Sequence, residues 1–165
     1  MQILDHNKIK QKVKRLSYQI AERNFDESSI AILGINQNGL RFAEIVQQQL
    51  SEILPDSAIS LHNILLNPAD PLSEEIRIDG EAESLEGKTL ILVDDVANTG
   101  RTLYYALHPL MKILPKKIEV AVLVNREHKS FPIMVDYVGL SLATTLKEHI
   151  QVDLAETEDL KAFLY

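Results

Sequence analysis

The chain contains no cysteine, which excludes disulfides and thiolate metal sites alike. It contains no tryptophan, and aromatic residues make up 5% of it against 45% hydrophobic residues, so its apolar content is almost entirely aliphatic. That balance suits an α/β domain better than a β-sandwich. No apolar run approaches the roughly 20 residues that span a bilayer, and Met1 is not followed by a signal-like segment. A cytoplasmic protein with no membrane partner is therefore expected. Internal repeats and low-complexity stretches are also missing. Basic residues are outnumbered, 17 against 24 acids, and the net charge of −7 argues against nonspecific nucleic-acid binding. The 165 residues are read as one domain, 1–165, long enough to bury a core without staples.

The charge that is present is unevenly spread. Residues 1–24 carry Lys8, Lys10, Lys12, Lys14, Arg15 and Arg23 against Asp5 and Glu22, a net of +4. Lys8, Lys12 and Arg15 fall on one face of a predicted helix, flanked by Lys10 and Lys14. They form either a partner surface or a solvated face. Residues 70–86 carry seven acids against Arg77.

Periodicity supplies the elements. Ile9, Val13, Leu16 and Ile20 recur at helical spacing and predict a helix over 7–23. A strand is predicted over 28–35, a turn over 36–39, a helix over 40–53 and a strand over 58–66. Residues 67–87, with Pro68, Pro71, Gly80 and Gly87, read as a long loop or an excursion of short strands. Such lengths are usually functional or disordered. The helical pattern over 103–114 contains Pro109, which should kink or shorten it. Further strands are predicted over 118–125, 135–140 and 150–154, and a terminal helix over 158–165. Strands alternating with helices imply a mainly parallel sheet with right-handed crossovers.

The most informative stretch runs from Leu90 to Thr102. Leu90-Ile91-Leu92-Val93 reads as a strand buried on both faces. Asp94 and Asp95 follow at its carboxyl end, where open α/β sheets place ligand crevices. Thr99-Gly100-Arg101-Thr102 then opens a helix and offers backbone N–H groups to a phosphate. Two carboxylates beside a phosphate cradle suit a phosphorylated sugar, whose hydroxyls the carboxylates accept. Gly34-Ile35-Asn36-Gln37-Asn38-Gly39 is a second strand-to-helix connection able to cradle an anion. The basic loop after the strand ending near Asn125 contains Arg126, His128 and Lys129.

The Leu90–Thr102 stretch resembles the 5-phosphoribosyl-1-pyrophosphate (PRPP) signature of type I phosphoribosyltransferases, with Asp94, Asp95, Thr99, Gly100 and Thr102 all in place. The resemblance extends in order over nearly the whole chain. It includes Ile3-Leu4-Asp5, Ala21-Glu22-Arg23-Asn24, Ala121 to Arg126, Pro132-Ile133 and Asp136-Tyr137-Val138-Gly139, and is to the family of pyrimidine-operon attenuators that are also uracil phosphoribosyltransferases. It implies an α/β, type I phosphoribosyltransferase fold, a mainly parallel central sheet flanked by helices with a small hood. It implies PRPP and a nucleobase or nucleoside monophosphate as ligands, Mg²⁺ bound with PRPP, mRNA as a partner, and a homodimer.

By the same resemblance Asp94 and Asp95 are the catalytic ribose clamp. Asn98, Thr99, Gly100, Arg101 and Thr102 bind the 5-phosphate. Gly34, Ile35, Asn36, Gln37, Asn38 and Gly39 bind pyrophosphate, and Arg126 and His128 rim the base pocket. No residues are assigned as direct metal ligands. Two departures stand out. The family's pyrophosphate loop usually carries Lys or Arg, and here Arg41 is the nearest cation. The segment matching the family's closing loop is acidic where basic and aromatic side chains are usual. Slow catalysis, or a regulator that senses PRPP or a nucleotide and binds pyrimidine-operon mRNA, follows from those departures.

Overall fold

In a computed structural model, described for residues 1–143, 148–156 and 158–165, six strands form the central sheet. These are β2 (Ser29–Ile35), β3 (Ala58–Leu65), β4 (Arg77–Ile78), β5 (Thr89–Ala97), β6 (Lys117–Arg126) and β7 (Tyr137–Leu142), in the order β4-β3-β2-β5-β6-β7. All neighbours are parallel except β3 and β4. The chain moves outward from β2 to β3 and then returns to place β5 on the other side of β2. Between β2 and β5 the winding reverses, which is where open sheets of this kind leave a crevice at their carboxyl ends.

Apolar residues fill both faces of the sheet, as parallel strands require. On one face, α1 (His6–Asn24) and α2 (Asn36–Ile53) pack Ile9, Val13, Leu16, Ile20, Phe42 and Val46 against Ile30, Ile32, Ile91 and Val93. Asp5 caps α1 by accepting from the Lys8 N–H at 2.9 Å. On the other face Leu33, Leu90, Leu92 and Val122 meet Leu85, Leu103 and Leu110. The helix α3 (Arg101–Ala106) is short, and a 3₁₀ segment over His108–Lys112 follows with Pro109 in its first turn. Proline cannot donate an N–H there, so the shortening expected from Pro109 is observed.

The basic stripe of α1 has a structural use. Lys12 Nζ donates to the Gly139 carbonyl at 3.1 Å, and Arg15 Nη2 donates to those of Gly139 at 2.8 Å and Val138 at 3.2 Å. β7 is an edge strand, and these side chains cover its open carbonyls. Nearby, Tyr137 donates to Glu119 at 2.9 Å and Asn24 Nδ2 donates to the same carboxylate at 2.9 Å. Arg23 lies 5.2 Å from the Tyr137 ring centre and 3.7 Å from Asp136. The matched segments 21–24 and 136–139 thus clamp α1 onto β6 and β7.

The ends of the chain differ from expectation. Residues 158–165 do not form a helix. β9 (Lys161–Leu164) lies between β1 (Gln2–Leu4) and β8 (Ile150–Asp153) in a three-stranded antiparallel sheet. The Leu164 N–H donates to the Met1 carbonyl at 2.8 Å. An eight-residue helix is marginal in water, and pairing with two strands, which buries Leu160 and Ala162, prevails over local helix propensity. The predicted turn over 36–39 is also absent, because α2 starts at Asn36, whose φ is 52°. Asparagine tolerates the left-handed region, and the chain passes from strand to helix without a separate loop.

Candidate active site

Three strands deliver the site. In the sheet register Gly34 of β2 pairs with Val93 of β5, and Ala97 of β5 pairs with Asn125 of β6. The residues just beyond these pairs converge at one edge. Asp94 and Asp95 lie within β5, which continues past the expected strand end to Ala97. Two adjoining cavities open there. One, of about 240 Å³, is lined by Asp94, Asn98, Thr99, Gly100, Arg101 and Thr102 among others. The second, of about 370 Å³, is lined by Ile35, Asn36, Gln37, Asn38, Asp94 and Asp95, and shares Asp94, Asn98 and Thr102 with the first. The predicted clamp, phosphate cradle and pyrophosphate connection therefore form one crevice.

Asp94 is more enclosed than a crevice residue need be, at 7% exposure. Its Oδ1 accepts the Asp95 N–H at 2.9 Å. Burial, followed by the charge of Asp95, holds its carboxyl well above the usual carboxylate range. Asp95 is more open, and its Oδ2 accepts from Asn38 Nδ2 at 3.0 Å.

The 99–102 turn opens α3 with Gly100 at its cap. Gly100 has φ 85° and ψ 0°, a left-handed conformation natural to glycine, and caps α3. Its carbonyl accepts the Tyr104 N–H at 2.9 Å. A Cβ at this position would lie 3.3 Å from Lys129 Cδ and 3.4 Å from Ile133 Cβ. The Arg101 side chain lines the cavity yet is already engaged, donating to the Pro68 carbonyl at 2.7 Å. It thereby ties the entry of the acidic excursion to the cradle.

The two glycines of the 34–39 connection lie against neighbouring backbone. A Cβ on Gly34 would come within 2.5 Å of Leu40 Cα, and one on Gly39 within 2.9 Å of the Val93 carbonyl oxygen. Their bareness lets α2 approach β2 and β5, while Ile35, Asn36, Gln37 and Asn38 face the cavity. Asn63, which sequence reasoning passed over, fixes this connection by donating to the carbonyls of Gly34 at 2.9 Å and Asn36 at 3.0 Å. Asn36 Oδ1 in turn accepts the Leu66 N–H at 3.0 Å. Nothing in the strand sequence singled it out, since Ser60 and His62 of β3 are polar as well.

The proposed base-pocket residues are not brought in together. Arg126 donates to the Glu148 carbonyl, and His128 is exposed. Lys129 is the residue that turns inward, its stem against Gly100 and its Nζ donating to Asn125 at 2.7 Å and to the Arg126 carbonyl. Burial lowers its pKa. The acidic excursion is anchored. Ile76 and Leu85 are buried in the second core, and a 3₁₀ turn spans Ala82–Leu85. Glu74, Glu75 and Arg77 line a further cavity with Asn36. Among the described residues no helix is long and apolar enough to cross a membrane.

Fold and crevice together define the class. The chain superimposes on the hypoxanthine phosphoribosyltransferase of Trypanosoma cruzi with a TM-score of 0.77 at 16% identity, covering 98% of this chain and 95% of that one. It superimposes on a hypoxanthine-guanine phosphoribosyltransferase of Bacillus anthracis with a TM-score of 0.71 at 20% identity, covering 86% and 81%. The fold is that of the type I phosphoribosyltransferases. The model of the phosphoribosyl transferase domain matches residues 1–157. Bifunctional protein PyrR of Haemophilus ducreyi is 35% identical over 159 residues, 91% of this chain and 87% of that protein. The protein of the same name from Listeria monocytogenes is 34% identical over 166 residues, covering 95% and 91%. The chain belongs to the phosphoribosyltransferase family, among the relatives of the bifunctional PyrR proteins.

Proposed function

We propose that the crevice transfers ribose 5-phosphate from PRPP to a nucleobase, uracil favoured, and releases pyrophosphate. One observation carries this reading: Asp94, Asp95 and residues 98–102 line adjoining cavities at the reversal point of the sheet, in a chain of this family. The N–H groups of residues 98–102 would hold the 5-phosphate. Asp94 and Asp95 would accept from the ribose hydroxyls and stabilise positive charge developing at C1 as its bond to pyrophosphate breaks and the bond to the base forms.

Among the described residues no group of three or more His, Asp or Glu is arranged to hold a metal. Asp94 and Asp95, two oxygen donors at the crevice, would help hold Mg²⁺ brought with PRPP, and the ion would supply neutralisation of the leaving pyrophosphate. The reading places the protein in the cytoplasm as a single-domain homodimer.

Among the described residues no cation lines the 35–38 side of the crevice, which favours a second reading, a slow or inactive sensor of PRPP or nucleotide that acts on pyrimidine-operon mRNA. The test is incubation of the protein with PRPP, Mg²⁺ and a panel of bases, watching for nucleotide. Formation of UMP supports transfer. PRPP binding without product from any base overturns it in favour of the sensor, and a gel shift with the leader RNA then tests that reading.

A further inference from the structure

The 5-phosphate side and the C1 side of this crevice differ in charge. The cavity bounded by Ile35, Asn36, Gln37 and Asn38 contains both carboxylates, and among the described residues no Lys, Arg or His lines it. The adjoining cavity adds Glu74 and Glu75 against Arg77. Arg41, the nearest cation in sequence, is 3.4 Å from Glu44. A multiply charged pyrophosphate at C1 would face carboxylates with no compensating side chain among the described residues, whereas an uncharged base would need none.

Asn38 stands at the centre of this difference. Its Nδ2 donates to Asp95 Oδ2 at 3.0 Å and to the Val152 carbonyl of β8 at 3.3 Å. It fixes one clamp carboxylate and ties it to the small sheet. A neutral amide does so without supplying positive charge.

We infer that Asn38 is a specificity-determining, positioning residue: it orients Asp95 while leaving the C1 side suited to an uncharged substituent, so that the crevice prefers a nucleoside 5′-monophosphate to the same sugar bearing pyrophosphate. This inference rests on the phosphoribosyl reading above. It makes the chain hold its product more tightly than its metal-free substrate.

Calorimetric titration with ribose 5-phosphate, UMP and PRPP, each with and without Mg²⁺, tests it. Ribose 5-phosphate and UMP should bind without Mg²⁺. PRPP without Mg²⁺ should bind at least about tenfold more weakly than UMP, a difference of about 1.4 kcal/mol, and Mg²⁺ should narrow the gap. Asn38→Arg should tighten metal-free PRPP by about tenfold while changing UMP far less. Gln37→Arg, which adds charge beside the intact Asn38 bridge, should shift the preference in the same direction and serves if Asn38→Arg does not fold. Equal affinities for metal-free PRPP and UMP in the unaltered protein overturn the inference. So do equal changes for both ligands in the arginine variants. If none of the three ligands binds, the phosphoribosyl reading itself fails and this inference falls with it.

Discussion

Two strand-to-helix connections face each other across the crevice, and they are built on different terms. The β5–α3 connection takes a left-handed glycine at 100, presents five successive residues to a cavity, and has Arg101 and Lys129 against it. The β2–α2 connection spends its glycines on packing and shows the cavity only Ile35, Asn36, Gln37 and Asn38, with Glu74 and Glu75 close by. Under the proposed function the first would hold the 5-phosphate. Among the described residues the second shows the cavity no Lys, Arg or His, and under the proposed function it is the side where pyrophosphate would leave. Since interactions that strengthen in the transition state set the rate, binding and turnover should separate in this protein. The following variants test that separation, beginning with the largest effect.

Asp94→Asn combined with Asp95→Asn should abolish PRPP use. A loss of about 10³-fold in kcat/KM is on the scale of removing preorganised groups that face developing charge. Circular dichroism should show the fold intact, because neither carboxylate is paired with a basic side chain among the described residues. Full ligand binding in the double variant would show that these acids are not the clamp.

Gly100→Val tests the cradle. The left-handed conformation costs a non-glycine residue about 1–2 kcal/mol, and the new side chain would press on Lys129 and Ile133. Binding of UMP should fall by about 100-fold, equivalent to about 2.7 kcal/mol, more than the loss of unfolding free energy. Matching losses in affinity and stability would reduce Gly100 to a helix start.

The two connections were also unequally legible in the sequence. The β5–α3 connection could be read because each of its features leaves a local trace: an aliphatic run, two adjacent acids, and a glycine before a helix. The 34–39 connection could not be read so well. Whether its glycines approach a ligand or a neighbouring backbone depends on Asn63 and Val93, which are distant in the chain. The α1 stripe is similar, since Lys12 and Arg15 look like a free basic face until Gly139 is placed beside them. The terminal strand was missed for the same reason: β9 exists through pairing with residues about 160 positions away at the start of the chain. Local pattern reported the main sheet and the turn at 99–102, and long-range pairing decided the terminal strand and the packing of the 34–39 connection.

Adding cations to the weaker connection sharpens the comparison from the other side. Asn36→Lys with Asn38→Arg should raise steady-state phosphoribosyl transfer by about tenfold, about 1.4 kcal/mol of barrier, with kcat and kcat/KM rising together. Asn36 also accepts the Leu66 N–H, so the melting temperature must be followed in parallel. Fast turnover in the unaltered protein, or no gain in a folded variant, would show that the cations come from elsewhere, such as a neighbouring subunit.

The smallest expected effect is on stability, and it arises from Asp94, at the seam of the two connections. Burial and then the charge of Asp95 raise its native pKa well above the usual value. A carboxyl whose native pKa exceeds its unfolded value, about 3.9, contributes fully to stability below the unfolded value and loses that contribution as pH rises through the native one. The Asp94 contribution should therefore make the free protein less stable as pH climbs from about 4 through the raised native value. Asp94→Asn has no charge to develop, so its advantage over the unaltered protein should grow with pH. Urea midpoints for both proteins across that range provide the measurement, and parallel profiles would mean that Asp94 ionises at no cost to the fold.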